Sequence, residues 1–474
     1  MIEKKHVGYY RRWAMKIQLC KIISGLYAKV LQGDINHETD GGVIDSRKIR
    51  GGELFFALKG ENTDGHNFLS LSVEAGAIAA IVEKNVTLPE HADFPILQVS
   101  DTKKALQKCA KLAREVFTGK VVAVTGSNGK TTTKDMIAEV TAKEFLTKKT
   151  YANFNNEIGL PLTLLNTPKE TQVLVLEMGM RAQGEIAFLA DIAQPQIGVI
   201  TNIGISHMEL LQSQANIARA KFELIDALPS DGIAILNADD SWCTSLSSQN
   251  CETLTYGFSL QSDIRGSKLH ITKQGTYFTV HYENNTYEAF LPTWGKHNVA
   301  NSLAALGVGI ALGMSITSAI DGLKSYLPTS MRLEIKTGNI GCHIIDDAYN
   351  ANPISVAASL EVLKSIATKR SVAVLGEMYE LGDLEKEGHE AVGTGVVNNG
   401  IDILVTVGKK AESIAIAAKK DGMTTENIHI FQNNDLAGKF LQGFLLSEDT
   451  VLVKGSRGMH METIVDMLTE RIES

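Results

Sequence analysis

The chain has 474 residues, about three domains at ~150 residues each, and its 44% hydrophobic and 21% charged composition lets it bury several cores. Forty-six Lys and Arg against 54 Asp and Glu leave a net charge of −8, which excludes a broad electrostatic grip on nucleic acid or anionic lipid. Five scattered cysteines (Cys20, Cys109, Cys243, Cys251, Cys342) without CxxC spacing argue for reduced thiols in a cytosol, and no apolar run reaches the ~18 residues of a membrane span.

Residues 1–15, MIEKKHVGYYRRWAM, are basic and aromatic but lack the apolar core of a signal peptide, and read as a disordered extension. Residues 16–118 mix short strand-like runs (ELFFALKG, AIAAIVE, PILQV) with turn clusters such as GDINHETDGG, and end in a helical stretch from Lys103 to Glu115. Residues 119–327 open with the buried strand KVVAVTG and alternate strands (QVLVLEMG, IGVITNIG, GIAILNAD) with helices, the βαβ signature of a parallel sheet. Between Thr253 and Phe290 the pattern becomes short and alternating, as in YFTVHYE, which predicts antiparallel edge strands. Residues 328–474 alternate again (CHIIDDAYN, RSVAVLGEM, DILVTVG, NIHIF, TVLVKGSRG) and predict a second doubly wound domain. The fold class is therefore α/β in three domains.

The strongest chemical signal is Thr125-Gly126-Ser127-Asn128-Gly129-Lys130-Thr131-Thr132, between the strand VVAV and a helical run. Glycines let successive amides and a helix N-terminus face a polyphosphate, Lys130 would neutralise the β/γ-phosphates, and the Thr131 hydroxyl would ligate Mg²⁺. A general P-loop has another glycine where Val124 stands, so this is the shortened form GxxGKT.

Glu177 ends the strand VLVLE, where a second magnesium ligand belongs, although alone it could be a strand-ending acid. His207 follows the next strand in a loop; a lone loop histidine is more often exposed than a ligand. Lys221, in the helical run NIARAKFELIDAL, reads on spacing alone as a surface lysine. Asp346-Asp347 and Asn350-Ala-Asn352-Pro353 lie at another strand's carboxyl end, as a ligand site or as an Asx-turn cap for the following helix. Lys454-Gly455-Ser456-Arg457-Gly458 would form a small basic anion nest. Arg332, Asp45-Ser46-Arg47 and Asp64-Gly65-His66 complete the polar clusters.

Taken in order, these clusters resemble the cytoplasmic Mur ligases of peptidoglycan synthesis. TGSNGKTT, EMG, ISH and ARAK are similar to that family's central ATPase domain, and DSRKIRGGELFFALKGENTDGHNF to a small α/β amino-terminal UDP-binding domain. WGKHNVANSLAAL resembles its adenine-side segment, and MRLE with IDDAYNANP the start of its carboxyl-terminal Rossmann-like domain. VLGEMYELGDLEKEGHEAVG and KGSRGMHMETIV resemble the branch that adds D-alanyl-D-alanine.

The resemblance implies an ATP-dependent ligase that joins D-alanyl-D-alanine to the tripeptide carboxylate of a UDP-N-acetylmuramoyl-tripeptide through an acyl phosphate, acting as a cytoplasmic monomer. It also implies roles. Lys130 binds the γ-phosphoryl group; Thr131 and Glu177 hold one Mg²⁺; His207, Glu177 and a carbamylated Lys221 surround a second. Asn298, Arg332 and Asp347 contact adenine, phosphate and ribose. Asp45, Ser46 and Arg47 cradle the uridine diphosphate, Asn155 or Asn156 faces the acceptor, and Asn350, Asn352, Lys454 and Arg457 complete the substrate site. A Mur ligase adding a single amino acid, a nucleotide-gated ATPase and a metabolite kinase remain rival readings.

Overall fold

The computed structural model describes residues 14–83, 86–87, 91–204, 208–246 and 251–469, arranged around three main sheets and a two-stranded ribbon that pairs Lys16–Gln18 with Glu38–Asp40. Residues 1–13 of the expected extension lie outside the described residues. Its last two residues are not loose: Ala14 bridges to Pro168, and buried Met15 donates its amide to Thr167 O at 3.0 Å. An apolar side chain next to a core strand is enough to pull the chain end in.

The first sheet runs β1 (Lys29–Gln32), β2 (Gly42–Val43), β3 (Leu54–Phe56), β4 (Ala79–Val82) and β5 (Ile96–Gln98), in the order β1-β5-β4-β3-β2 and parallel except at β1. Its central strands are unbroken apolar runs because both faces are covered. Helix α1 (Thr102–Val116) starts at Asp101, whose carboxylate accepts from Lys104 N, and buries Ala105, Leu106, Cys109, Ala110 and Ala113 as one stripe.

The middle sheet begins with β6 (Lys120–Thr125), leading through the glycine loop into α2 (Lys130–Thr141), then β7 (Thr147–Lys149), α3 (Gly159–Leu165), β8 (Val173–Glu177), α4 (Glu185–Ala193), β9 (Ile197–Ile200), α5 (Gln214–Asp226) and β10 (Ile233–Asn237). Strands β11 (Glu252–Gly257), β12 (Ile264–Thr272), β13 (Gly275–Tyr282) and β14 (Asn285–Leu291) extend it, and α6 (Lys296–Ala311) returns across one face. The order is β14-β13-β12-β11-β10-β9-β6-β8-β7. Pairing is parallel through β12 and antiparallel for the last two strands, so the antiparallel edge expected from Thr253 starts only at the β12–β13 pair, and β11 belongs to the parallel part of the sheet.

Residues 326–333 lead to the third sheet, formed by β15 (Glu334–Thr337), β16 (His343–Asp346), β17 (Ser371–Gly376), β18 (Ile403–Val407), β19 (Ile428–Phe431) and β20 (Thr450–Lys454), with α7 (Pro353–Ile366) after β16. Its order is β15-β16-β20-β17-β18-β19, parallel except at β15. The carboxyl ends of β16 and β20 and of β6, β8 and β10 all contribute to one cleft, the usual ligand edge of such sheets.

One buried arginine fastens the first unit to the second. Arg114 of α1 donates to Ala193 O at 2.7 Å, Gln194 O at 3.0 Å and Phe117 O at 3.2 Å, satisfying carbonyls at the ends of α1 and α4. Arg114→Ala leaves these carbonyls without donors and should cost about 2–4 kcal/mol in denaturant unfolding; a loss below about 0.5 kcal/mol would show that the contact does not fasten the two units.

Candidate active site

The cleft has a volume of about 1900 Å³ and is lined from all three units, by Lys103 and Gln107, by the loop 127–132 and Glu177, and by Asn350, Asn352 and Lys454. Strand register builds its floor. Glu177 pairs with Val124, and Ile200 with Thr125, so β8 and β9 deliver their last residues on either side of the glycine loop. Gly126 has φ of +151°, and a Cβ there would sit 1.8 Å from Thr201 Oγ1, so no other residue fits.

Asn202 braces the loop: its main-chain oxygen accepts Ser127 N at 2.9 Å and its side-chain oxygen accepts Asn128 N at 3.0 Å. The Thr201 hydroxyl donates to Asn128 O at 2.6 Å. With those two loop amides engaged, the helix-start amides of Lys130, Thr131 and Thr132, which have no partner inside α2, are the ones positioned for a phosphate. Lys130 curls back onto Gly126 O at 2.7 Å and Ser127 O at 3.2 Å. Burial pulls its pKa down, Glu177 opposes that, and the charge of Arg332 adds to it.

The Thr131 hydroxyl donates to Glu177 Oε2 at 2.9 Å, and Asn155 Nδ2 donates to Glu177 Oε1 at 2.8 Å. Hydroxyl and carboxylate oxygens converging at a phosphate loop are the hard donors that magnesium prefers, so the residues fit that ion. Among the described residues no three His, Cys, Asp or Glu side chains cluster tightly enough to hold a metal by themselves. His207 lies outside the described residues.

Lys221 is 2% exposed on the buried face of α5 and lines the cleft, contrary to the surface position its spacing suggests. Burial pushes its pKa well below the usual lysine range, and nearby Lys130 pushes the same way. It makes no hydrogen bond or ion pair with another described residue. A lysine buried in this way gives up its proton more readily than an exposed one, and its free amine is the nucleophilic form.

At the start of α6, buried Asn298 donates to Trp294 O at 2.8 Å and accepts from Asn301 Nδ2 at 3.2 Å. Its neighbour His297 is held neutral by burial, with its pKa lowered to about 4. Arg332 stacks over the Tyr349 ring at 4.1 Å.

Across the cleft, Asn352 Nδ2 donates to Asn128 Oδ1 at 2.7 Å, a direct link from the third sheet unit to the glycine loop. Asn352 also caps α7 in a capping box with Ser355, which is the helix-cap reading of its cluster. Asp347 Oδ2 accepts from Lys454 Nζ at 2.5 Å and Ser359 Oγ at 2.7 Å. Lys454 also donates to Asn350 O at 3.1 Å. Lys454 therefore works inward as the partner of Asp347 and not as half of an anion nest. Arg457, the other half, turns to Glu462 at 2.8 Å and does not line the cleft. A buried ammonium needs a carboxylate, and Asp347 is the one in reach.

Asp45, Ser46 and Arg47 lie apart from the cleft lining in a short turn of their own. There Asp45 accepts from Arg47 Nε at 2.9 Å and Nη2 at 3.0 Å, which holds its carboxyl below the usual range. Of the two asparagines left open, Asn155 faces Glu177, while Asn156 Oδ1 accepts from Gly159 N at 2.9 Å and Ile158 N at 3.2 Å at the start of α3.

Sequence reading misses Lys134 and Asp135, which are 2% and 5% exposed just behind the loop, and the brace Asn202. The run KTTTKD gives no apolar period to mark it as buried. The only signal for Asn202 is its place after a strand.

Sequence models of the Mur ligase middle domain, of its glutamate ligase domain and of the Mur ligase catalytic domain match residues 124–309, 331–457 and 40–114. The chain is 41% identical to the UDP-N-acetylmuramoyl-tripeptide--D-alanyl-D-alanine ligase of Bacillus subtilis, over 91% of this chain and 93% of that one. It is 34% identical to the enzyme of the same name in Escherichia coli, over 96% and 98%. A crystal structure of MurF from Acinetobacter baumannii superposes with a TM-score of 0.86 at 31% identity, covering 96% of this chain and 99% of that one. MurF from Thermotoga maritima in complex with ADP gives 0.79 at 30%, covering 90% and 96%.

The two asparagines make separable predictions. Asn156→Ala should cost about 1 kcal/mol of stability and leave nucleotide turnover intact. Asn155→Ala should lower turnover by about tenfold or more with stability nearly unchanged. Denaturant melts and phosphate-release rates on both variants check this; the reverse pattern would exchange the two assignments.

Proposed function

Because the chain belongs to the Mur ligase family, we propose that it uses ATP to join D-alanyl-D-alanine to the tripeptide carboxylate of UDP-N-acetylmuramoyl-tripeptide, giving the pentapeptide precursor of peptidoglycan. The observation that carries this reading is the single cleft to which all three sheet units contribute, with a phosphate loop on its floor. A binding protein or simple ATPase has no use for a third unit that reaches the loop through Asn352.

A carboxylate is a poor electrophile, so its oxygen first attacks the γ-phosphorus of ATP; the bond to ADP breaks and an acyl phosphate forms. Lys130 and the first-turn amides of α2 offset the charge that builds on the transferring group. Thr131 and Glu177 would hold magnesium, which supplies charge neutralisation on the phosphates. The amine of the dipeptide then attacks the acyl carbon, the amide bond forms, phosphate leaves with its electron pair, and the amine gives up a proton. Asn352 brings the third unit over the loop, Lys454 fixes the wall behind it, and the closed cleft excludes the water that would hydrolyse the activated acyl group. Asn298 and Arg332 flank the base and phosphate ends of the nucleotide, and Asp347 orients its ribose with Lys454 as counter-ion. The uridine diphosphate belongs on the first unit near Ser46, and the enzyme acts as a cytoplasmic monomer. No helix among the described residues is long and apolar enough to cross a membrane.

The buried amine of Lys221, in its neutral form, can add CO₂: an N–C bond forms, one proton leaves to water, and a carbamate oxygen would stand with Glu177 and His207 as a further anionic ligand for the ion. In CO₂-free buffer ligation should fall by about tenfold or more and return with bicarbonate. ¹³C-bicarbonate should give a carbamate resonance that Lys221→Ala lacks. Wild-type activity indifferent to CO₂, with no such resonance, contradicts the carbamate.

The reaction itself is tested by offering D-alanyl-D-alanine or single amino acids to purified protein with ATP, Mg²⁺ and the UDP-tripeptide, while product mass and phosphate are followed together. Pentapeptide formed only with the dipeptide is the expected result. A product with one added amino acid moves the chain to another branch, and phosphate without amide removes the ligase reading.

A further inference from the structure

Behind the phosphate loop sits a buried carboxylate that the chemistry above does not use. Asp135, on the second turn of α2, accepts from Lys149 Nζ at 3.0 Å and lies 3.4 Å from Lys134 Nζ on Oδ1, while its Oδ2 takes the Thr329 hydroxyl. Lys134 continues to Glu177 Oε2 at 3.8 Å. A carboxylate this deep is costly unless its partners are held in place, so the arrangement ties three segments together: the loop helix, the edge strand β7 and the linker 326–333.

The linker is under strain. Met331 and Leu333 both adopt left-handed conformations, φ of +61° and +53°, which non-glycine residues keep only where their surroundings over-determine them. On the side of the third unit the constraints are Tyr349 N to Met331 O at 3.2 Å and Leu333 N to Asp347 Oδ1 at 3.2 Å. On the central side, α2 grips the same linker through Asp135, which accepts from the Thr329 hydroxyl, and Tyr326 at the start of the linker is buried in the same core as α2. Thr329 O in turn accepts Arg332 N at 3.1 Å, and the charge of Arg332 reaches Lys130.

We propose that Asp135 and Thr329 are positioning residues that couple the nucleotide loop to the hinge carrying Arg332, so that closure of the third unit over bound nucleotide is transmitted through their contact. Helix α2 is the rigid lever: its first turn meets the phosphates and its second turn holds the hinge. The inference rests on the ligase reading above.

The test is steady-state ligation by Thr329→Val, Thr329→Ser, Asp135→Asn and the double variant Asp135→Asn/Thr329→Val, with thermal melts confirming folding. For Thr329→Val, kcat should fall by about tenfold while KM for ATP stays within about twofold, because closure and not nucleotide docking is impaired. Thr329→Ser keeps the hydroxyl and should remain close to wild type. The double variant should be no slower than the slower of the two single variants, since Asp135→Asn, which keeps an acceptor oxygen but loses the charge, weakens the same link that Thr329→Val removes. An unchanged kcat in Thr329→Val, additive losses in the double variant, or an equal loss in Thr329→Ser would overturn the coupling. Should Thr329→Val not fold, Asp135→Asn carries the test: kcat reduced with KM held supports it, and an unchanged kcat overturns it. A wild-type protein that forms no amide sinks the ligase reading, whereas a normally ligating wild type with an indifferent Thr329→Val sinks only this inference.

Discussion

Parallel pairing of β8 with β6, in the register that sets Glu177 beside Val124, places a carboxylate next to the glycine loop before any side-chain packing is considered. A slip of one residue would turn Glu177 to the other face of the sheet, because side chains alternate along a strand. The hydrogen bond from Thr131, the brace from Asn155 and the contact with Lys134 all depend on that alignment. Fully buried apolar strands on both sides, β6 and β8 among them, make the register costly to change.

Charge follows from the same geometry. Lys130, Lys134 and Lys221 stand at or behind the cleft floor, with Glu177 close to Lys130 and Lys134, so basic groups are gathered beside the glycine loop within a protein of net charge −8. Burial weakens the ammonium form of Lys130 and Lys221, and the arrival of phosphate anions would restore it for Lys130. This gathering is local and shielded from bulk water, which suits a triphosphate and gives no wider attraction for polyanions. Lys454 follows the opposite logic: it is buried with its own carboxylate, Asp347, and fixes the cleft wall instead of offering a charge.

Much of this was legible in the chain. The strand-turn-helix context of TGSNGKTT, the acid ending VLVLE and the alternating strands after Thr253 carry strong local signals, because buried strands, tight turns and helix starts each restrict residue choice. What escaped notice depends on tertiary contact. Nothing in KTTTKD announces that Lys134 and Asp135 are buried, since polar residues at helical spacing look the same on a surface. The inward turn of Lys454 and the different tasks of Asn155 and Asn156 are set by partners 107, 22 and 3 residues away along the chain. The packing of Met15 against Thr167 is likewise invisible to composition, which reads the basic, aromatic stretch before it as loose.

The central claim is that the acceptor carboxylate is activated by phosphoryl transfer within this cleft. It is tested most directly by labelling that carboxylate with ¹⁸O and analysing the phosphate released during ligation. Activation as an acyl phosphate requires one labelled oxygen to leave with each phosphate, because the oxygen that attacked the γ-phosphorus stays on it when the amine displaces it. Unlabelled phosphate, formed at the same rate as amide, would contradict the account and leave Glu177, Thr131 and Lys130 as parts of an ATPase that does not activate its acceptor.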